Sequence, residues 1–232
     1  MAAEQHTRRE HPSANTEAVE DYAKTIYALS RHAQAPVGTS ALAERLGVSP
    51  GTVTAMLKRM AEGGLVEYEP YRGVTLTAAG ERVALEVIRH HRLIESYLAV
   101  ALGVPWDRVH DEAEVLEHYI SEDLERRIAA KLGDPSRDPH GDPIPSAELD
   151  MASDETISLA ELEPGRTAVF ERISDRDSEM LRFLDERGIR PGCELDVRGR
   201  DPFDGPVYVG VQAGEHVLGH RLAAAMRVTP RQ

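Results

Sequence analysis

Between Glu17 and His32 the apolar residues Val19, Tyr22, Ala23, Ile26, Tyr27 and Leu29 return every three or four positions, the period of a helix with one buried face. Thr16 stands where a side-chain oxygen would cap the first turn, which leaves residues 1–16, polar and aperiodic, as a disordered leader. Two shorter helical patterns follow between Thr39 and Met60. Gly47 suits the turn that ends the first, and Ser49 with Pro50 suits the cap and first position of the second, so the pair reads as a helix-turn-helix. The run from Gly63 to Thr77 gives two short strands about a Pro/Tyr/Arg/Gly turn, the wing of a winged helix.

A longer helix is expected from about Ala78 to Leu102. Its apolar side, Val83, Val87, Leu93, Ile94, Tyr97 and Leu98, is larger than one helix of a monomer needs, and predicts a dimer interface or else ordinary core. Trp106 opens the next helix, where its ring would anchor that interface or the local core. From Gly133 to Gly165 the composition turns rich in Pro, Gly and Asp, the mark of a linker. Beyond it, short alternations at 167–173, 194–197, 207–212 and 216–218, with one helix near Ser178 to Arg187, fit a compact β-barrel. The fold class is therefore mainly α with a small β part: a winged helix-turn-helix over 17–82, a helical domain over 83–137, a linker over 138–164 and a small barrel over 165–232.

Composition narrows the function. The 232 residues with 41% hydrophobic content suffice for one large or two modest domains, and no apolar run reaches the roughly 20 residues needed to span a bilayer. A cytoplasmic protein without a membrane partner is expected. Cys193 is the single cysteine, which rules out a disulfide framework and any multi-thiolate zinc site. The net charge of −13 argues against a general nucleic-acid coat protein. Between Thr39 and Arg82, however, five basic residues meet five acidic ones, so the helix-turn-helix is locally neutral and the acid lies downstream.

That acid has a pattern. His91-x3-Glu95 and His110-x3-Glu114-x2-Glu117-His118 place imidazoles and carboxylates at helical spacing, on two helices, with residues 110, 114, 117 and 118 inside one arc of roughly 100°. From His91 to Glu125 two basic residues face nine acidic ones, a balance of 2 − 9 = −7 that would repel itself without a cation. Nitrogen and oxygen donors without thiol suit a divalent ion of the manganese, iron or zinc range, and the carboxylate excess favours manganese.

In a winged helix the N-terminal residues of the second helix reach base edges in the major groove. Here these are Ser49, Pro50, Gly51, Thr52, Thr54 and Ala55, small groups suited to phosphates and thymine methyls more than to bidentate base readout. Lys58, Arg59 and Arg72 are the expected phosphate partners, with Thr39 and Ser40 offering hydroxyls and a helix N-terminus for another.

The succession of winged helix, Arg-His-His-Arg-Leu-Ile-Glu, Val-His-Asp-Glu-Ala-Glu-Val-Leu-Glu-His and Asp-Pro-His-Gly-Asp-Pro-Ile-Pro resembles the diphtheria-toxin-repressor family of metal-dependent bacterial regulators over about residues 17–230. The resemblance implies a homodimer, two metal ions per subunit, a C-terminal SH3-like domain of ferrous-transport-accessory type, and metal-triggered binding to palindromic double-stranded operators of metal-uptake genes. It assigns Asp21, Glu114, Glu117 and His118 to the activating site. It assigns His91, Glu95 and His110 to an ancillary site, closed by Asp175 in preference to Glu171 or Asp177. Iron-responsive members carry Cys at the place of Glu114 and Met at the place of Asp21. Both changes replace sulfur by hard oxygen, so Mn2+ is expected over Fe2+. Some two-domain manganese regulators have Glu where this chain has Lys24, which cannot be a ligand. An enzyme using the same cluster is disfavoured, since no nucleophile motif or phosphate loop accompanies it. A regulator of an organic ligand is the third reading.

Overall fold

Ser49 and Pro50 start a helix for the reasons their residue types dictate. The Ser49 hydroxyl accepts the Thr52 amide at 3.1 Å, and Pro50 needs no donor in the first turn. The computed structural model describes residues 14–33, 35–153, 155–212 and 214–231, with the side chains of 14, 15, 32 and 33 left aside. The leader expected over residues 1–16 lies mostly outside these. Helix α1 (Ala14–Ala33) already contains Thr16, which is therefore a helical residue and not the cap of the sequence reading.

The chain forms two units. The first holds the described part of residues 1–91 together with 115–126 and 145–150. In it α1 is followed by α2 (Thr39–Leu46), α3 (Pro50–Glu62) and the hairpin β1 (Val66–Glu69) and β2 (Gly73–Leu76), paired antiparallel from Val66 opposite Leu76 to Glu69 opposite Gly73. Gly47 ends α2 at φ 66°, the left-handed region open to glycine, and returns its N–H to Ala43 and Glu44 carbonyls. Ile26, Leu42, Val53, Leu57 and Val74 are fully buried in one core, each aliphatic side chain contributing about 1.5–3 kcal/mol. That core fixes α3 with its Ser49, Thr52, Lys58 and Arg59 side outward.

Helix α4 (Ala78–Leu102) runs through the division after His91. Val87, Leu93, Ile94 and Leu98 are at most 8% exposed within a single chain and Val83 and Tyr97 are half-buried, so most of this stripe is covered as core, the second of the two readings given for it, and does not present the broad dimer interface also expected there. Helix α5 (Val109–Leu116) stops one residue before Glu117. Glu117 and His118 thus sit in the turn that follows, a correction to the single helical arc expected for residues 110–118. Helix α6 (Glu122–Leu132) escaped the sequence reading.

The second unit comprises 92–114, 127–144 and 151–232. Its six-stranded antiparallel sheet has the order β3-β8-β4-β5-β6-β7, formed by β3 (Ile157–Ser158), β4 (Thr167–Arg172), β5 (Glu194–Arg200), β6 (Val207–Val211), β7 (Gly214–Leu218) and β8 (Arg227–Pro230), consistent with an SH3-like domain. Helices α7 (Ser178–Asp185) and α8 (His220–Ala225) complete it. Strand β3 pairs with β8, so the sheet begins inside the stretch expected to be linker. Residues 138–144 are no solvated linker either. His140 is fully buried, Ile144 is 6% exposed, and Arg137 bridges to Pro143. Trp106 precedes α5 and is 2% exposed in the core of this domain, the second of the two places expected for its ring.

Candidate metal centre

Helix periodicity puts Glu20, Asp21 and Lys24 on one side of α1, and the turn after α5 brings Glu117 and His118 to them. His118 Nε2 lies 3.2 Å from Asp21 Oδ1 and 3.6 Å from Glu117 Oε1, while its Nδ1 lies 2.6 Å from Glu20 Oε2. Glu117 has a side chain of zero exposure, and a carboxylate there requires cations. Lys24 Nζ supplies one at 2.5 Å from Oε1, and His91 Nδ1 bonds Oε2. Burial works to raise the Glu117 pKa, but His91 and Lys24 outweigh it and hold the carboxyl below its usual range. Burial likewise opposes charge on His118, yet Asp21, Glu20 and Glu117 lift it to about 10.

Behind this cluster His90 Nδ1 stands 3.2 Å from the Glu117 carbonyl, and its Nε2 is 3.2 Å from Glu125 Oε2. Arg89 holds the same Glu125 at 2.5 Å and gives a second donor to the Pro145 carbonyl at 2.6 Å. This brace fixes the turn that carries Glu117 and His118.

A second cluster occupies the other unit. His110 Nδ1 is 2.9 Å from Asp175 Oδ2 and 3.6 Å from Glu95 Oε1, and its Nε2 is 3.7 Å from Glu114 Oε1. Glu95 is fully buried, and so is His140, whose Nδ1 lies 3.6 Å from Glu95 Oε2. Asp138 completes this side. One of its oxygens accepts the amides of His140 at 2.8 Å and Asp142 at 2.9 Å, a turn that Gly141 closes at φ 88°. Against the cost of burial, Asp175, Glu95 and Glu114 lift His110 to about 10, and Glu95 and Asp138 lift His140 to about 9. Burial itself, reinforced by Glu95 and Asp142, raises Asp138 to about 8. Burial tends to raise Asp175 too, but His110 overrides it and keeps this carboxylate below its usual range.

The donor sets test directly for a divalent ion. Single ligand atoms of Asp21, Glu117 and His118 all lie within 4.8 Å of one another, as do those of Glu95, His110 and Asp175, and those of Glu95, Asp138 and His140. All are nitrogen or oxygen, and His140 Nδ1 is buried without a hydrogen bond. Each group fits a hard dication. His91 stands one turn before Glu95 on α4, and Glu114 one turn after His110 on α5. Asp138, His140 and Glu20 were missed by sequence reasoning. The first two lie in the Pro- and Gly-rich run, where composition hid an Asp-x-His-Gly turn, and Glu20 was masked by its neighbour Asp21.

On the DNA side, Ser49, Pro50, Thr52, Lys58, Arg59, Ser40 and Arg72 are exposed, and Thr39 and Thr54 half-buried. The Thr54 hydroxyl donates to the Pro50 carbonyl at 3.0 Å, and Arg72 pairs with Glu69 at 3.2 Å on the wing.

A winged helix joined to clusters of nitrogen and oxygen donors that fit a divalent ion is the make-up of a metal-responsive DNA-binding regulator. The chain belongs to the iron-dependent repressor family, a class of transcriptional regulators and not of enzymes. Residues 15–74 match its N-terminal DNA binding domain, 77–146 its metal binding and dimerisation domain, and 157–230 the FeoA domain. It is 33% identical over 223 residues to the iron-dependent repressor IdeR of Mycobacterium leprae, covering 90% of this chain and 95% of that one. The diphtheria toxin repressor of Corynebacterium efficiens is 36% identical over 188 residues, 77% of this chain and 81% of that one. A solved manganese-dependent transcriptional repressor in complex with manganese superposes with a TM-score of 0.84 at 42% identity, covering 92% of this chain and all of the other.

Proposed function

We propose that this protein is a manganese-responsive repressor, a homodimer that binds palindromic operators of metal-uptake genes in the cytoplasm when each subunit holds two Mn2+ ions. Asp21, Glu114, Glu117 and His118 would hold the activating ion. His91, Glu95, His110 and Asp175 would hold the ancillary one, with Asp138 and His140 at its buried edge. The carrying observation is the convergence of Asp21 from α1 with Glu117 and His118 from the turn after α5, oxygen and nitrogen donors with no sulfur among them. Bound there, a dication would supply the charge that Lys24 and protonated imidazoles otherwise provide, fastening α1 to the helical domain. Metal then favours whichever arrangement of the recognition helices brings those ligands together, which is the coupling a co-repressor requires. Thr39, Ser40, Ser49, Pro50, Thr52 and Thr54 would meet the DNA, and Lys58, Arg59 and Arg72 its phosphates.

The solved relative bound to manganese supports the choice of metal, and the IdeR relatives favour iron(II) as the second reading. Chelator-treated protein is expected to retard operator DNA only after Mn2+ is restored. Matched free levels of Mn2+ and anaerobic Fe2+ separate the two metals, and a clear preference for Fe2+ selects the second reading.

A further inference from the structure

Resting on the metal-binding reading above, we propose that Trp106 is a positioning residue for His140, presenting Nδ1 to a divalent cation and linking that cluster to the core of the C-terminal sheet domain. Trp106 lies in the short connection between α4 and α5, its side chain 2% exposed in a core shared with Leu159, Phe170, Leu181 and Ile189. Its indole stacks on the His140 imidazole, with centroids 5.8 Å apart and planes 17° apart. Its backbone carbonyl receives His140 Nε2 at 2.7 Å. A carbonyl oxygen only accepts, so Nε2 keeps its proton, and when the ring gives up one proton to become a ligand it is Nδ1 that is left with the lone pair. That nitrogen is buried and makes no hydrogen bond, and Glu95 Oε2 lies 3.6 Å from it.

The separation is long for a hydrogen bond and short for two groups that ignore each other. Two atoms each about 2.1 Å from one ion lie at most about 4.2 Å apart, so both can ligate it. A histidine that gives its other N–H to a fixed carbonyl has tautomer and ring angle set before metal arrives, and loss of such support costs about 10–100-fold in affinity. Arg190 packs over the same indole, 4.5 Å from its centroid, and pairs with Asp185. The Trp106 Nε1 is buried without a hydrogen bond, so the ring acts through its face and its volume, and phenylalanine should serve in its place.

The test uses the full-length protein and Mn2+, with free ion measured by its electron paramagnetic resonance signal and apo stability by thermal unfolding. Glu95→Gln and Asp21→Asn identify the two classes of site. Trp106→Leu is expected to weaken the Glu95-dependent class by about tenfold or more and leave the Asp21-dependent class within about twofold, whereas Trp106→Phe restores binding to within about threefold. A lowered apo melting temperature with both classes unchanged would mean that Trp106 is core filler, and would overturn the proposal. Should Trp106→Leu not fold, wild-type protein with 15N-labelled histidine and 113Cd2+ decides: coupling of cadmium to Nδ1 of His140 is expected, and coupling to Nε2 or none overturns it. A wild type that binds no ion in the Glu95-dependent class defeats the metal-binding reading itself, while one that binds yet ignores Trp106→Leu defeats only this inference.

Discussion

Glu117 is tightly constrained, since a fully buried carboxylate is held by an ammonium and an imidazole at once. Removing one partner of a buried ion pair typically costs about 3–5 kcal/mol, because the remaining charge stays desolvated. Lys24→Met is therefore expected to lower the apo melting temperature and to tighten Mn2+ binding at the Asp21 cluster, as the ion becomes the carboxylate's main source of positive charge. Metal titration followed by thermal unfolding reads both, and unchanged or weaker binding would show that Lys24 supports the ion instead of competing with it. Protons compete in the same way. His110 and His118, both lifted to about 10, bind protons that the unfolded chain, with histidine near its ordinary 6.5, has lost. Their contribution to apo stability is present below about 6.5 and is lost as pH rises toward about 10. A ligating imidazole must be neutral, so metal bound through these two residues, as proposed, would release their protons and bind more strongly as pH rises. The stabilisation conferred by Mn2+ should grow between about pH 6.5 and 8.5, and calorimetry in buffers of different ionisation enthalpy should register proton release. Binding enthalpies independent of buffer would contradict it.

At the level of elements, much of the fold was legible and the reasons differ by element. The helix-turn-helix was readable because Gly47, Ser49 and Pro50 each do at the chain level what their chemistry dictates. Strands β4 to β7 were readable from alternation. Strand β3 is two residues long and β8 follows directly on α8, too short and too crowded for a period to show. The α4 stripe was seen correctly as apolar, but periodicity does not say which surface covers it. The buried turn from Asp138 to Asp142 was obscured for a related reason, since the Pro and Gly that usually mark a solvated connection here build a tight bend. Gly141 has a left-handed backbone, and a Cβ there would lie 1.8 Å from the Glu171 carbonyl. Neither obstacle can be relieved by a rotamer change. Gly141→Ala is expected to displace His140 and Asp138, weakening the Glu95-dependent metal class by about tenfold or more while sparing the Asp21 class. Retention of both classes in a folded variant would show that this turn does not organise the site.

For the whole molecule, the charge of −13 and the DNA-binding activity of the family pull in opposite directions. A single winged helix with Lys58, Arg59 and Arg72 exposed offers few phosphate contacts, and each contact shifts the log–log salt slope by only about 0.9. Operator affinity must then come from two modules acting together, which makes DNA binding depend on the dimer. Most of the α4 stripe is covered within one chain, which leaves the interface to other exposed apolar surface of the matched dimerisation domain, residues 77–146. Among the exposed apolar residues of that domain, Val115 at 63%, Leu116 at 40% and Leu124 at 45% lie on α5 and α6, outside the proposed ligand set. We place the contact between two copies there, since burial of such groups yields about 25 cal/mol per Å2 and a stable interface buries about 1,200–2,000 Å2. The double substitution Val115→Glu with Leu124→Glu would set like charges against each other across a two-fold axis. Sedimentation should then show a monomer that still binds Mn2+, with operator affinity reduced by at least about 100-fold and a salt slope roughly halved, as expected of one module. A variant that remains dimeric would move the interface to another face. One that is monomeric yet binds the operator undiminished would remove the need for two recognition helices.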